Sequence, residues 1–167
     1  MAFVTSVPRT VFPTPIGVCA LAWGEHGFTA FWLPEAAPAP GDVAPPPPVQ
    51  AVIGRVQRHL RGEWQDFSDL AYDFTLVPEF DGAVLRATLG VKAGQTRSYG
   101  EIAGAIGQTV GASRAVGRAL GANRWPLLIP CHRIVSATGK MTGFSGPGGV
   151  RTKLRLLALE GAQLLAE

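Results

Sequence analysis

Four consecutive prolines, Pro45 to Pro48, close a Pro- and Ala-rich stretch that begins at Pro34. Proline has no backbone donor and favours extended chain, so residues 34–48 are expected to form an exposed loop or linker rather than the interior of a sheet or helix. The stretch reads as a spacer more than as a Pro-rich ligand for a partner domain. It separates two kinds of sequence, one with the patterning of strands and one with that of helices.

Ahead of the prolines, Thr14-Pro15-Ile16-Gly17 is turn chemistry, and residues 18–23 and 28–33 read as strands joined through Gly24-Glu25-His26-Gly27. Behind them the period lengthens. Val52, Val56, His59 and Leu60 share one face of a helix over 49–61. Residues 64–79 look irregular, with a short strand over 72–77. Phe80, Val84, Leu85 and Leu89 mark an amphipathic helix over 80–91, with Asp81 well placed in its first turn. Residues 99–106, capped by Ser98, and 112–121 form two helices around a turn at 107–111, the helix-turn-helix order. Residues 127–129 read as a short strand, and 150–160 as a closing helix with Leu154, Leu157 and Ala158 inward and Glu160 at its end. The expected fold class is α/β, in the α+β sense. A small N-terminal sheet-and-helix domain (residues 1–79, with the Pro-rich loop) precedes a mainly helical domain (80–167) that carries the helix-turn-helix.

Charge follows the same division. Residues 1–79 hold four arginines against eight carboxylates, a formal charge of −4, whereas 80–167 hold eleven basic against four acidic residues, +7. A polyanion site in the C-terminal part would explain this, and so would ordinary solubilising charge. The second helix of the pair is unusually thin: Ala112, Ser113, Ala115, Gly117, Ala119 and Gly121 are all small. Glycine weakens a helix, so close approach to another surface is the expected return, such as entry into a minor groove. Arg114 and Arg118 lie four apart on one face. Close helix–helix packing with two solvated arginines fits the same residues. No apolar run reaches the roughly 18 residues of a membrane span, and no secretory signal pattern opens the chain, so a cytoplasmic protein is expected.

The two cysteines, Cys19 and Cys131, are too few for a disulfide framework or a Cys-rich zinc site and should be free thiols. A thiol attacks as thiolate, and an unperturbed cysteine has a pKa of about 8.5, so a nucleophile needs a base or a positive charge nearby. His132 and Arg133 follow Cys131 directly, and a tight turn after Pro130 could bring them to it. Glu160 is the candidate carboxylate to orient the imidazole, and Asn123 could brace the turn through hydrogen bonds to backbone. Taken alone, the Cys-His pair also fits an inert buried thiol beside a core histidine.

The context goes further. Ile129-Pro130-Cys131-His132-Arg133-Ile134-Val135 resembles the signature of the O6-alkylguanine-DNA alkyltransferases, also called methylated-DNA–protein-cysteine methyltransferases. The stretch from Gly94 to Ala103, Arg114-Ala115-Val116-Gly117, Asn123, and the closing Lys153, Leu156, Leu157, Glu160 and Gly161 resemble the family in the same order. Coverage is good from Phe80 to Gly161 and weaker over residues 14–79.

The resemblance implies that Cys131 accepts an alkyl group from O6 of guanine, with O4 of thymine as a further candidate position, and that the protein is consumed by a single irreversible transfer. His132 would act as base through a water, polarised by Glu160, with Asn123 holding the turn. Arg114 would fill the space of the extruded base. Ser113, Ala115 and Gly117 would line the minor-groove face of the second helix. Tyr99 would crowd the target phosphate, and with Ile134 and Ser145 would meet the base. Double-stranded DNA carrying O6-alkylguanine is the implied partner of a monomer with no cofactor. No metal is expected, because Cys19 and His26 do not fall at the zinc positions of some relatives. The chain departs from the family pattern at Leu85, Val91-Lys92, Asn123-Arg124 and Phe144, and carries insertions before Arg114 and between Phe144 and Lys153. Two other functions fit parts of the sequence: a non-catalytic binder of alkylated DNA, whose relatives usually lack the cysteine, and a cysteine hydrolase unrelated to DNA.

Overall fold

The structure, a computed structural model, describes residues 8–137 and 149–162. Three antiparallel strands, β1 (Arg9–Thr14), β2 (Gly17–Gly24) and β3 (Gly27–Trp32), form a meander in sequence order. The Thr14–Gly17 turn joins β1 to β2, so its turn chemistry is the corner of a hairpin whose first strand the pattern did not show. Pro13 breaks the alternation of β1 and stands on the edge of the sheet, where a missing donor is tolerated. At the β2–β3 turn Gly27 has φ +122°, and a Cβ there would fall 2.4 Å from the Ala71 carbonyl oxygen, so glycine is required on two counts.

Helix α1 (Pro47–His59) starts two residues earlier than the proline content suggests. Pro47 and Pro48 occupy its first turn, where the missing donors have no intrahelical partner anyway. Its inward face is Val49, Val52, Val56 and His59, close to the expected one. The strand expected over 72–77 is absent. Tyr72 makes a single bridge to Phe28, and Phe74–Leu76 form a 3-10 turn capped by the Asp73 side chain. The aspartate competes for backbone donors that a strand would need.

Helix α2 (Glu79–Thr88) buries Val84 and Leu85, and α3 (Tyr99–Ala105) opens with a full capping box between Ser98 and Glu101. A short 3-10 turn, Val110–Ala112, leads into α4 (Ser113–Gly121), which packs on both α2 and α3. Two-residue strands β4 (Arg97–Ser98) and β5 (Ile134–Val135) pair in parallel and tie the start of α3 to the segment that follows Cys131. In the last helix, α5 (Val150–Leu159), the inner face is Lys153, Leu156 and Leu157. Leu154 and Ala158, expected inward, are exposed. The register turned because Lys153 has a buried acceptor to reach, described below.

Residues 127–129 are not a strand either. Leu127 is buried with φ +78°, and the Ile129 N–H donates to the Trp125 carbonyl at 2.9 Å, closing a turn. Trp125 is fully buried, its indole N–H donates to the Phe28 carbonyl at 2.9 Å, and Tyr72 and Phe74 meet its ring edge-on. The Phe31 N–H donates to the Arg124 carbonyl at 2.8 Å, and Arg124 Nε returns a bond to the Thr29 carbonyl at 2.9 Å. The departure from the family pattern at Arg124 therefore has a role: it stitches the reactive segment to strand β3. Buried apolar residues from both sides of position 79 form one continuous cluster, from Phe12 to Leu156.

Candidate active site and nucleic-acid interface

The reactive turn is built from its backbone upward. Pro130 sits at φ −81°, ψ 64°, the inverse γ-turn, and the Cys131 N–H donates to the Ile129 carbonyl at 2.8 Å. The same carbonyl accepts from Asn123 Nδ2 at 2.9 Å, and Asn123 Oδ1 accepts the Trp125 N–H at 2.9 Å. One asparagine thus clamps both ends of the segment, as its place in the sequence suggests. Cys131, His132 and Arg133 then form one 3-10 turn, and all three are buried.

Glu160, at the C-terminus of α5, is the centre of the buried charge. Its Oε1 accepts from His132 Nε2 at 2.9 Å and Arg133 Nε at 2.8 Å; its Oε2 accepts from Arg133 Nη2 at 2.6 Å and His59 Nε2 at 2.8 Å. Four donors saturate the carboxylate. Burial alone would raise its pKa, but the His132 imidazole, the Arg133 guanidinium and His59 outweigh burial and hold the group far below the usual carboxylate range. Glu160 is therefore an anion and a pure acceptor. His132 must place its proton on Nε2, which leaves Nδ1 bare. Nδ1 is buried and has no hydrogen-bond partner among the described residues. Burial also pushes the His132 pKa down, against the pull of Glu160, so the ring rests neutral.

Cys131 is 8% exposed. Burial pushes its pKa up, offset in part by the Asn123 side chain and the Lys153 charge. The resting group is a thiol and needs its proton taken. Arg133, adjacent in sequence and a candidate for stabilising the thiolate, points elsewhere: it spends its donors on Glu160 and on the Val91 carbonyl at 2.7 Å. The cation that acts on Cys131 is Lys153, 1% exposed, whose Nζ donates to the Ile134 carbonyl at 2.6 Å and lies 5.9 Å from the Tyr99 ring centre. Burial lowers the Lys153 pKa, while proximity to Cys131 raises it. The sequence marked Lys153 only through its place in the resemblance, since nothing local shows that this lysine is buried.

The helix pair presents the remaining residues. Arg114 is exposed on α4 with no ion pair among the described residues. Arg118, expected on the same face, is bound to Asp81 of α2 through Nη2–Oδ1 at 2.7 Å and holds α4 on α2. Gly117 lies beside Tyr99: a Cβ would meet the ring at 3.8 Å, ordinary contact. Ser113 donates its hydroxyl to the Val110 carbonyl at 2.6 Å, and Ala115 is half-buried. Ile134 is fully buried, with its N–H on the Cys131 carbonyl and its own carbonyl on Lys153. Ser145 lies outside the described residues. Among the described residues no group of His, Cys, Asp and Glu has the arrangement of a metal site, and no helix is long and apolar enough to cross a membrane.

A mixed α/β fold with an outward arginine on a thin helix, beside a buried Cys–His–Glu arrangement, has the features expected of a protein that brings a cysteine to DNA. The comparisons give the particular family. Residues 79–162 match the 6-O-methylguanine DNA methyltransferase DNA-binding domain. The methylated-DNA–protein-cysteine methyltransferase of Mycolicibacterium paratuberculosis is 39% identical over 155 residues, covering 91% of this chain and 90% of that one. That of Methanothermobacter thermautotrophicus is 33% identical, covering 90% and 83%. The crystal structure of the Mycobacterium tuberculosis O6-methylguanine methyltransferase superposes with a TM-score of 0.77 at 34% identity, covering 97% of both chains. A structure of the M. tuberculosis protein in complex with DNA matches equally, at 35% identity over 92% of this chain and 93% of that one. The chain belongs to the methylated-DNA–protein-cysteine methyltransferase family.

Proposed function

We propose that this protein repairs DNA by direct reversal, moving an alkyl group from O6 of guanine onto Cys131 Sγ in one irreversible step. The observation that carries the reading is the hydrogen-bond chain that fixes a neutral His132, with its Nδ1 bare, next to a buried thiol. His132 Nδ1 takes the thiol proton through one water, since no direct bond to the sulfur is made. The thiolate attacks the alkyl carbon, forming S–C as C–O6 breaks. The electron pair moves into the guanine ring, which is reprotonated, and a donor such as the Tyr99 hydroxyl stabilises the charge as it grows. The thioether product is stable, so each molecule acts once.

The alkylated base must leave the stack to reach a buried sulfur, at a cost of a few kcal/mol. Arg114 is the residue to fill the gap, since it is exposed and unpaired among the described residues, and α4 is thin enough on its Gly117 side to enter a minor groove. Ser113 and Ala115 lie on the same helix, and Ile134 and Ser145 complete the base pocket in this reading. We assign residues 80–167 to DNA binding and alkyl acceptance, and residues 1–79 to a supporting domain. In this reading the protein acts as a monomer on double-stranded DNA. The two free cysteines fit a reducing cytoplasm.

Mass spectrometry tests the reading. Incubation with a duplex holding O6-methylguanine should add one methyl group to the Cys131 peptide, with loss of the lesion in equal amount. Unmodified peptide after complete mixing would rule it out. Arg114→Ala should retain the thiol chemistry and slow repair of duplex DNA, and an unchanged repair rate would remove its role.

A further inference from the structure

One buried titratable side chain touches this site from outside the reactive segment. His59, at the C-terminal end of α1, is 1% exposed and 101 residues from Glu160 in sequence. Its Nδ1 accepts the Gln65 N–H at 2.9 Å, which leaves the ring proton on Nε2, 2.8 Å from Glu160 Oε2. The loop after α1 is held to the end of α5 by a second contact, the Trp64 indole N–H on the Leu159 carbonyl at 3.0 Å. The Trp64 ring also covers Gly161, where φ is +69° and a Cβ would approach it to 3.1 Å. The tautomer of His59 is thus set by a backbone donor, in a loop that Trp64 holds to the end of α5.

We infer that His59 is a positioning residue for alkyl transfer: a neutral histidine that donates to Glu160 Oε2 and so reserves Oε1 for His132. The inference rests on the reading of Cys131 as acceptor and His132 as its base. Arg133 bonds both carboxylate oxygens and does not distinguish them; the two histidines do. Without the His59 donor, more negative charge stays on Glu160. His132 then holds a second proton more tightly and is a base over a narrower range. The other charged or titratable groups around this arrangement are Cys131 and Lys153 on the thiol side. On the far side Asp66 and Lys92 pair at 2.7 Å across a cleft of about 230 Å³ that Arg133 also lines.

The test is single-turnover methyl transfer by the full chain, from an O6-methylguanine duplex, followed from acid to neutral pH. In His59→Leu the acid limb should move up by roughly half a pH unit or more and the neutral rate fall about tenfold, the scale of a lost hydrogen bond to a charged group. His59→Gln, whose amide can donate to the same oxygen, should recover most of both, and DNA affinity should not change in either. An unmoved acid limb, or an equal fall at every pH without recovery in His59→Gln, would reduce His59 to packing and overturn the inference. Should His59→Leu fail to fold, the His59 imidazole ¹⁵N shifts of the unmodified protein decide: Nε2 protonated with Nδ1 an unprotonated acceptor is expected, and the reverse tautomer overturns it. That readout needs no methyl transfer. An unmethylated Cys131 in the unmodified protein would therefore fail the alkyl-transfer reading, while the His59 tautomer would be judged separately.

Discussion

Cys19 and Cys131 sit in two regions that look alike by burial and differ in everything else. Cys19 lies in β2, fully enclosed, with the Thr14 hydroxyl 3.8 Å from its sulfur as its one polar neighbour. Burial pushes its pKa up to about 11, and Thr14 recovers little of that. Cys131 is almost as enclosed and is raised for the same first cause, but it stands in a turn clamped by Asn123, next to the Lys153 charge and a neutral, oriented imidazole. Burial by itself therefore does not set the two thiols apart. What separates them is whether a base with a bare nitrogen and a cation have been carried into the same low-dielectric place, where each counts for more than it would in water. The sheet region has neither, because its neighbours are the apolar side chains of a hairpin.

The sharpest way to break this contrast is to exchange the roles of the two sulfurs. Cys131→Ser should lose methyl transfer entirely while Cys19→Ala keeps the full rate, read as methyl adduct by intact mass; transfer to the remaining thiol in Cys131→Ser would end the comparison. Next in size, Glu160→Gln should destabilise the fold by about 3–5 kcal/mol in urea unfolding, since it leaves the buried Arg133 charge uncompensated, and should slow transfer as His132 loses its fixed tautomer.

The pH dependence comes third. Glu160 and His132 both have folded pKa values below their unfolded ones, so the unfolded chain binds more protons and acid favours unfolding. Their stabilisation should be complete above about pH 6.5, the unfolded histidine value, and should decline below it, more steeply below about 4.3 where unfolded glutamate protonates. Melting temperatures in a pH series check this, and a protein equally stable at pH 4 and 7 would contradict the buried ion network. The smallest effect belongs to the inert site. Cys19→Ala should cost about 1 kcal/mol, the scale of one buried methylene-sized group, with no change in the pH profile of transfer.

The sequence carried the local features well. The hairpin around Gly24–Gly27, the Pro-rich connection, the helix cap at Ser98 and the helix pair that follows were all legible, because each is written in neighbouring residues. The reactive turn was legible too, since Pro130, Cys131 and His132 adjoin and Asn123 acts on backbone only six residues away. Where the reading failed, a distant contact had overridden the local pattern. Residues 127–129 look like a strand by composition, but Trp125 and Arg124 are pinned to β3 and fold them into a turn. Leu154 looked buried, but Lys153 reaches the Ile134 carbonyl, nineteen residues away, and takes the inner face with Leu156 and Leu157. Arg133 reads as a charge for its neighbour's thiol and goes instead to Glu160.

By itself, then, the chain determined which residues can do chemistry and which short turns display them, because hydrogen bonds between near neighbours depend on spacing alone. Only the tertiary structure decided which of those residues meet. It took His59 to Glu160 and Lys153 to the thiol, and it sent Arg118 to Asp81 while leaving Arg114 exposed. Such pairings cross tens of residues, leave no periodic trace, and are fixed by where buried charge can find a partner.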